Sequence, residues 1–191
     1  DLGISSMQID IPERGFSFRW DGPLDMRMSG EGESAADLIA RVDVDELAKI
    51  LRDYGDVKKA AILARAIKNA QPRTTMDLRN LIHNPRDVAP VFQAFRIAVN
   101  DEMGEVRRAL AAVPDLLDAG GKCVCVTFHS LEDRIVKNTF REWTTAPGDP
   151  RLPCVAAAPF AQLATKTPAA SELEHNPRAR SAHLRAVIKS Y

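Results

Sequence analysis

The chain has 191 residues, in which 26 Lys and Arg side chains are balanced by 26 Asp and Glu side chains. A formal net charge of zero at pH 7 excludes a protein that binds polyanions through its overall charge, although local basic zones can still contact phosphates. Hydrophobic residues make up 45% of the chain, which is enough for one packed domain or for a core with a small appendage. No stretch approaches the ~20 apolar residues of a membrane-spanning helix.

Three cysteines, Cys123, Cys125 and Cys154, match neither a zinc site nor a disulfide framework. Their odd number and their spacing predict buried, reduced thiols and no metal, which favours the reducing cytoplasm. The chain begins at Asp1 rather than at Met, which indicates a fragment and leaves an upstream targeting sequence open.

Residues 1–28 are irregular and carry many side chains that take part in chemistry. Glycines and prolines interrupt them at Gly3, Pro12, Gly15, Gly22 and Pro23, so the segment is neither one helix nor one strand. The polar candidates are Asp1, Ser5, Ser6, Gln8, Asp10, Arg14, Asp25 and Arg27, and the aromatic residues are Phe16, Phe18 and Trp20 at alternate positions. This mixture favours a binding loop, and the alternative is a solvated loop whose aromatic rings cover the core.

Periodic apolar residues between about 30 and 88 predict a small, alanine-rich helical unit. The predicted helices are Ala35–Val42 after a Ser34 cap, Asp45–Tyr54 before a stop at Gly55, Val57–Ala70, and a short turn from a Thr75 cap to Leu81. Five of its basic residues fall in one stretch against the single acid Asp56, namely Lys58, Lys59, Arg65, Lys68 and Arg73. Because the unit buries only a modest apolar area, we expect it to pack against a larger domain for its stability.

The second half has the order helix, strand, helix, which is typical of an α/β fold. Apolar residues at every third or fourth position predict one long amphipathic helix from about Val91 to Leu110. The apolar run Cys123–Phe128 predicts a strand that is buried on both faces of a parallel sheet. Ser130 is predicted to cap a helix from Leu131 to Trp143.

A proline-rich loop at about residues 144–159 leads to the last two predicted strands, Phe160–Thr167 and His183–Lys189. We expect them to form a hairpin-like pair. Their connection, Pro168–Ser181, is polar and basic and has no obvious role in a core, which favours a binding function there.

Six motifs follow one another along nearly the whole chain. They are Asp-Leu-Gly-Ile-Ser-Ser at 1–6, Glu-Arg-Gly-Phe-Ser-Phe at 13–18, Asp-Gly-Pro-Leu-Asp-Met-Arg-Met at 21–28, Phe-Gln-Ala-Phe-Arg-Ile at 92–97 with Val-Asn-Asp-Glu at 99–102, Phe-His-Ser-Leu-Glu-Asp-Arg-Ile-Val-Lys at 128–137, and Asn-Pro-Arg-Ala-Arg-Ser at 176–181. Through these motifs the chain resembles the ribosomal RNA small subunit methyltransferase H family.

The resemblance implies an α/β fold: a class I S-adenosylmethionine-dependent methyltransferase core, Rossmann-like and N-terminally truncated, with an inserted small helical domain. The implied division is a core loop at 1–29, a helical insertion for RNA recognition at 30–88, and the remainder of the core at 89–191. Class I methyltransferases place the strand before Asp1 beside the strand before His129. We therefore expect the loops after both strands to face one crevice.

The family transfers a methyl group from S-adenosylmethionine to N4 of a cytosine in 16S ribosomal RNA. The lone pair of this amine is delocalised into the ring, so the enzyme must hold the amino hydrogens with acceptors and aim the nitrogen at the sulfonium methyl. By resemblance, Asp1 and Gln8 contact S-adenosylmethionine, and the catalytic candidates are Asp1, Ser5 and His129. Residues 1–3 read Asp-Leu-Gly where other amino methyltransferases carry an acidic residue or serine before two prolines, which leaves the direct acceptor open.

The RNA of the small ribosomal subunit is the implied partner, and a homodimer stays open. The candidate contacts to phosphates or base edges are Arg14, Arg27, Asn176, Arg178 and Arg180. Phe16 is the candidate for stacking on a base, and we expect at most one ring among Phe16, Phe18 and Trp20 to touch RNA.

A class I core needs a Gly-rich turn that meets the cofactor, and no such turn precedes Asp1. The chain alone is therefore predicted to bind S-adenosylmethionine weakly or not at all, which calorimetric titration can test. Two alternatives remain for the function: a noncatalytic RNA-binding module, and an amino methyltransferase that acts on DNA or protein.

Overall fold

The computed structural model describes residues 3–146 and 157–190, and contacts divide the chain into two compact units, Asp1–Glu102 and Met103–Tyr191. The first unit is helical, and the second combines helices with a three-stranded sheet, so the predicted α/β class is confirmed. The boundary predicted at residues 88 and 89 falls inside the helix Pro85–Asn100, and the three-part division stays a prediction. No helix within the described ranges is long and apolar enough to span a bilayer.

The described helices of the first unit are α1 Ser6–Asp10, α2 Ala35–Arg41, α3 Val44–Gly55, α4 Ala60–Ala70, α5 Thr75–Leu81 and α6 Pro85–Asn100, with a 3-10 turn at Pro12–Arg14. Ser34 caps α2, as predicted. The Ser34 hydroxyl accepts a hydrogen bond from the backbone N–H of Asp37, and the Asp37 carboxylate accepts one from the backbone N–H of Ser34. Thr74, rather than the predicted Thr75, caps α5 in the same way. The helix predicted from Val57 begins later, at Ala60.

The predicted single helix from Val91 to Leu110 is wrong, because Asp101 interrupts it. Asp101 has a left-handed φ of 46° and ends α6, and α7 then runs over Glu102–Leu116. An aspartate tolerates this conformation better than most residues, so a helix can end there although the apolar period continues.

Buried side chains of α3, α4 and α6 form the core of the first unit, and α3 packs against both other helices. The fully buried members include Leu47, Leu51, Ile67 and Phe95. Leu24 and Met26 from the irregular N-terminal segment are buried in the same core, with 1% and 0% of their surface exposed. The loop is therefore packed onto the helices and is not a solvated tether.

The second unit contains β1 Lys122–Thr127, α8 Ser130–Thr144, β2 Phe160–Lys166, α9 Ala170–His175 and β3 His183–Lys189, with a 3-10 turn at Pro177–Ser181. The strand order is β1-β3-β2, and both pairs are antiparallel. Lys122 pairs with Ile188 and Phe160 pairs with Lys189, so β3 is the central strand. The predicted pairing of the last two strands is confirmed.

One face of this sheet carries the core of the second unit. The buried residues of this core are Val106, Leu110, Val136, Phe140, Phe160 and Val187, and the partly buried residues packed against them include Cys123, Cys125 and Trp143. The opposite face leaves Val124 and Val126 56% and 51% exposed. The prediction that this strand is buried on both faces of a parallel sheet is therefore wrong, because β1 pairs antiparallel with β3, lies at the edge of the sheet formed by the described strands, and has one face in solvent.

Cys123 and Cys125 are free thiols, but both are only partly buried, where buried thiols were predicted. Cys154 lies outside the described residues. The sulfur atoms of Cys123 and Cys125 are 3.9 Å apart on the inner face of β1. Burial raises the pKa of both thiols, that of Cys125 to about 12. Both thiols are therefore protonated and unreactive near neutral pH.

Candidate functional site

Two glycines allow the loop from Pro12 to Met28 to fold closely on itself. Gly15 has a φ of +72°, and a Cβ atom there would collide with the carbonyl oxygen of Pro23. A Cβ atom at Gly22 would collide with the carbonyl oxygen of Pro12. Because these neighbours are backbone atoms, any larger side chain would force the loop to move.

Arg14 and Asn100 hold the end of this loop in place. Nη2 of Arg14 donates to the carbonyl oxygens of Arg27 and Met28, at 2.8 and 2.9 Å. Nδ2 of Asn100 donates to the carbonyl oxygen of Met26 at 2.7 Å, and Oδ1 of Asn100 accepts from the N–H of Met28 at 2.7 Å. The structure thus gives Arg14 an intramolecular role, and its predicted contact with RNA stays a prediction.

Arg27 is also engaged within the loop. Its guanidinium makes a two-point ion pair with Asp25, at 2.8 and 2.7 Å, and donates to the carbonyl oxygen of Gly32 at 3.0 Å. The hydrogen bonds from Arg27 hold the pKa of the Asp25 carboxyl below its ordinary value, against the opposing effect of burial. The Arg27 side chain is 28% exposed, so part of it still faces solvent.

The three alternating aromatic residues have different environments. Phe16 is only 8% exposed and belongs to the core, while Phe18 packs edge-to-face against Phe92 with ring centroids 5.4 Å apart. Trp20 is 62% exposed. The ring of Phe16 lies in the core beside Arg14, and its predicted stacking on a base stays a prediction. Trp20 is the exposed ring that sequence reasoning did not select.

The backbone beneath Trp20 is tied to the start of α5. Oγ1 of Thr75 donates to the carbonyl oxygen of Trp20 at 2.8 Å and accepts from the N–H of Gly22 at 3.1 Å. The Asp21 carboxylate accepts from the N–H of Met76 at 3.2 Å. The indole is therefore exposed on an anchored loop, and its charged neighbours, Arg19 and Asp21, were the only sequence signal of this exposure.

Ser5 and Gln8 lie together at the start of α1. Oγ of Ser5 accepts from the N–H of Gln8 at 3.3 Å, and Oε1 of Gln8 accepts from the N–H of Ser5 at 3.0 Å. This reciprocal cap explains why α1 begins at Ser6, directly after the N-cap Ser5. Asp1 lies outside the described residues, so its predicted roles stay predictions.

His129, rather than the predicted Ser130, caps α8. Its Nδ1 accepts from the N–H of Glu132 at 3.4 Å. Nε2 lies 3.1 Å from Oε1 of Glu132, at ion-pair distance but without the alignment of a hydrogen bond. The other carboxylate oxygen of Glu132 accepts from the N–H of Phe128 at 2.9 Å. The imidazole is 14% exposed and is held by its own helix, and a catalytic role stays a prediction.

Burial alone raises the pKa of the Glu132 carboxyl, but the His129 imidazole and the N–H of Phe128 outweigh burial and leave the pKa below its ordinary value. The pair places one imidazole and one carboxylate side by side directly after β1.

Asp133 joins the start of α8 to the central strand. It makes a two-point ion pair with Arg185 of β3, at 2.7 and 2.8 Å, and Oγ1 of Thr127 donates to it at 3.4 Å. Hydrogen bonding from Arg185 holds the pKa of the Asp133 carboxyl below its ordinary value. The pair fixes the position of the helix that His129 caps.

The Asp133 ion pair predicts a stability loss in acid. Because the folded-state pKa is depressed, the unfolded chain binds the proton first as the pH falls below about 4, and the stabilisation disappears. Wild type should therefore be more stable than Asp133→Asn at pH 7, and the difference in unfolding free energy should narrow towards pH 3. Urea denaturation at a series of pH values measures this, and a difference that is independent of pH would contradict it.

The connection between β2 and β3 is mostly exposed, apart from the buried Ala179. Asn176 donates to Oε1 of Glu172 at 3.1 Å, while the side chains of Arg178 and Arg180 lie on either side of the buried Ala179. Ala179 anchors the 3-10 turn, which presents both arginines on the surface of the second unit.

The predicted site residues therefore fall into separate groups. Ser5 pairs with Gln8, Arg14 contacts the backbone of Arg27, and all four belong to the first unit. The second unit holds His129 and the segment Asn176–Arg180. The single crevice predicted for the two loop ends stays a prediction.

Comparison with known proteins identifies the family. A model of the MraW methylase family matches residues 1–190. The chain is 47% identical over 205 residues to a ribosomal RNA small subunit methyltransferase H of Myxococcus xanthus, covering 99% of this chain and 67% of that protein. Proteins of the same name from Granulibacter bethesdensis and Rhizobium meliloti are 48% and 49% identical, over 98% and 100% of this chain and 62% and 61% of their own lengths.

The chain thus spans about three fifths to two thirds of the length of these relatives. The family model and the alignment with the Myxococcus xanthus protein cover nearly the whole chain. The model's match therefore includes the motifs at 1–28, 92–102, 128–137 and 176–181. The chain belongs to the MraW methylase family.

Proposed function

We propose that the chain is part of an S-adenosylmethionine-dependent methyltransferase that modifies the RNA of the small ribosomal subunit. The observation that carries this proposal is the family match over residues 1–190, together with the name shared by relatives at 47–49% identity. Because the chain spans only part of those relatives, the activity belongs to the full-length protein. Its core is of the class I type, and it acts in the cytoplasm.

The proposed target atom is N4 of a cytosine in 16S ribosomal RNA. Catalysis at this weakly nucleophilic amine requires hydrogen-bond acceptors for its two hydrogens. We assign this role to Asp1 and its neighbours. The His129–Glu132 pair suits a proton acceptor, since the nitrogen loses a proton after methylation and the imidazole lies 3.1 Å from a carboxylate.

S-adenosylmethionine supplies an electrophilic methyl group when it is bound. The fit of the described residues to this cofactor can be tested at Gln8. The helix cap uses the amide oxygen of Gln8, and its Nε2 group donates to no other described residue, which leaves two N–H donors for a ligand oxygen. The Ser5 hydroxyl accepts in the cap and can still donate its proton, so it can orient a substrate acceptor. Both features are compatible with the cofactor and substrate roles proposed for these residues.

The RNA contacts proposed in the first unit are Trp20, Arg14 and Arg27, and those in the second unit are Asn176, Arg178 and Arg180. We place Trp20 ahead of Phe16 because Trp20 is exposed on an anchored loop and loses little freedom when a base stacks on it.

The decisive experiment incubates the full-length protein with labelled S-adenosylmethionine and, separately, with small ribosomal subunits, DNA and protein. Label should enter the ribosomal RNA, and digestion to nucleosides should place it on the exocyclic nitrogen of cytosine. Unlabelled subunits would contradict the proposal, and label in DNA or protein would support the amino methyltransferase alternative.

Replacing Trp20 with alanine in the full-length protein should weaken RNA binding without unfolding the loop. Stacking contributes about 1–3 kcal/mol per base, so the KM for RNA should rise roughly 5- to 150-fold. The conservative control Trp20→Phe should retain most of the affinity, because it keeps an aromatic face. Equal KM values for Trp20→Ala and wild type would show that this ring does not contact the substrate.

A further inference from the structure

We propose that the exposed cations at the start of α4 and in the turn before it bind the phosphate backbone of the substrate RNA, an inference that rests on the proposed function. Residues 57–73 contain five basic side chains and no acidic one. Lys58, Lys59 and Arg65 are exposed, and no carboxylate of the described residues lies within ion-pair distance of them. These three cations are therefore available to a polyanion.

The structure separates this group from the other basic residues of the same stretch. Nζ of Lys68 donates to three carbonyl oxygens at the end of α2, those of Ile39, Ala40 and Val42, at 3.0, 2.7 and 2.6 Å. This lysine therefore closes the C-terminus of a neighbouring helix and is not available to RNA. Arg73 lies near Asp37 and helps to lower the pKa of that carboxyl, so its charge is partly balanced.

Arg65 lies on α4 itself, while Lys58 and Lys59 lie in the turn that enters the helix. Within α4, Ile62, Arg65 and Asn69 follow one another along one row at intervals of three or four residues, and all three are exposed. Ile62 is 70% exposed and gives the row an apolar surface for a sugar or a base.

The adjacent helix α3 shows what an ordinary solvated face looks like in this unit. Its exposed positions mix acids with bases, namely Asp45, Glu46, Lys49, Arg52 and Asp53. Opposite charges on one face screen one another and repel a polyanion as much as they attract it. The exposed charges at residues 58–65, in the turn before α4 and on its first half, are cations alone, and their mutual repulsion is relieved when a phosphate backbone binds. Charge complementarity therefore assigns RNA to α4 and not to α3.

The test uses two matched pairs of substitutions in the full-length protein. Lys58→Gln with Arg65→Gln, the α4 pair, removes one lysine from the turn before α4 and one arginine from α4, and Lys49→Gln with Arg52→Gln, the α3 pair, removes the same charges from α3. All four side chains are exposed, so both pairs should keep the thermal stability of wild type. RNA affinity is measured at several salt concentrations, together with methyl transfer at varied RNA concentration.

The α4 pair should raise the Kd for RNA roughly tenfold near physiological salt and reduce the slope of log Kd against log salt by about 1.5. The loss should fall on the KM for RNA, and the α3 pair should behave as wild type does. An unchanged salt slope in the α4 pair, or an equal loss in both pairs, would overturn this inference while the wild-type protein still methylates RNA. A wild-type protein that neither binds nor methylates the RNA would overturn the proposed function as well.

Discussion

Replacing Arg96 with methionine should lower the free energy of unfolding by about 3–5 kcal/mol. The carboxylate of Glu102 is only 2% exposed, and its two oxygens accept from Nε and Nη2 of Arg96 at 2.7 and 3.0 Å. Methionine keeps the length and the apolar stem of arginine but removes the positive charge. The buried carboxylate would then lack its partner, and desolvation of an unpaired charge is costly.

Two controls separate the ion pair from a general effect of the substitution. Arg52→Met removes an exposed arginine of α3 and should change stability by less than about 0.5 kcal/mol. Adding Glu102→Gln to Arg96→Met should recover part of the loss, because no unpaired charge remains. Urea denaturation followed by circular dichroism gives all three values. Equal stability of Arg96→Met and Arg52→Met would show that the buried pair contributes nothing.

The second large effect is expected for Gly15→Ala, which should cost about 2–4 kcal/mol. An L-residue at a φ of +72° costs about 1–2 kcal/mol by itself. The added Cβ atom would also overlap the carbonyl oxygen of Pro23 and approach the backbone nitrogen of Asp25 to 2.7 Å. Since these backbone atoms cannot rotate away, the loop must shift, and RNA binding should fall with it.

Gly30→Ala is the matched control for this prediction. Gly30 also has a left-handed φ, +79°, but no atom lies within 4 Å of a Cβ built there. Its substitution should cost only the backbone strain, about 1–2 kcal/mol, and should leave RNA binding unchanged. The difference in unfolding free energy between Gly15→Ala and Gly30→Ala therefore measures the cost of the backbone contact at residue 15, without the cost of the left-handed φ. Equal costs would mean that the loop relaxes freely around Gly15.

Helix positions could be predicted where the signal lies within one turn of chain. Ser34 and Asp37 form the expected reciprocal cap, and the strand His183–Lys189 lies where alternation placed it. Errors of one residue occurred at Thr74 and His129, because two neighbouring polar residues compete for each cap. Asp101 ended a helix although the apolar period continued, which no local pattern indicated.

The candidate site could be predicted only in part. The motifs located the loop at residues 1–28, the His129 corner and the Asn176–Arg180 connection, and they indicated the family that the comparisons confirm. They did not reveal that Phe16 is buried while Trp20 is exposed. An alternating aromatic pattern shows only that the rings are two residues apart along the chain. The burial of each ring depends on which distant helix packs against it.

The sequence by itself determined the family, the positions of most helices and the chemical types at each candidate site, because these depend on residue identity and short spacing. Only the tertiary structure decided the antiparallel order of the sheet and the exposure of one face of β1. It also decided which cations of residues 57–73 stay available, since Lys68 donates to carbonyl oxygens at the end of α2. The physical reason is that burial and ion pairing are set by long-range contacts, which sequence spacing does not encode.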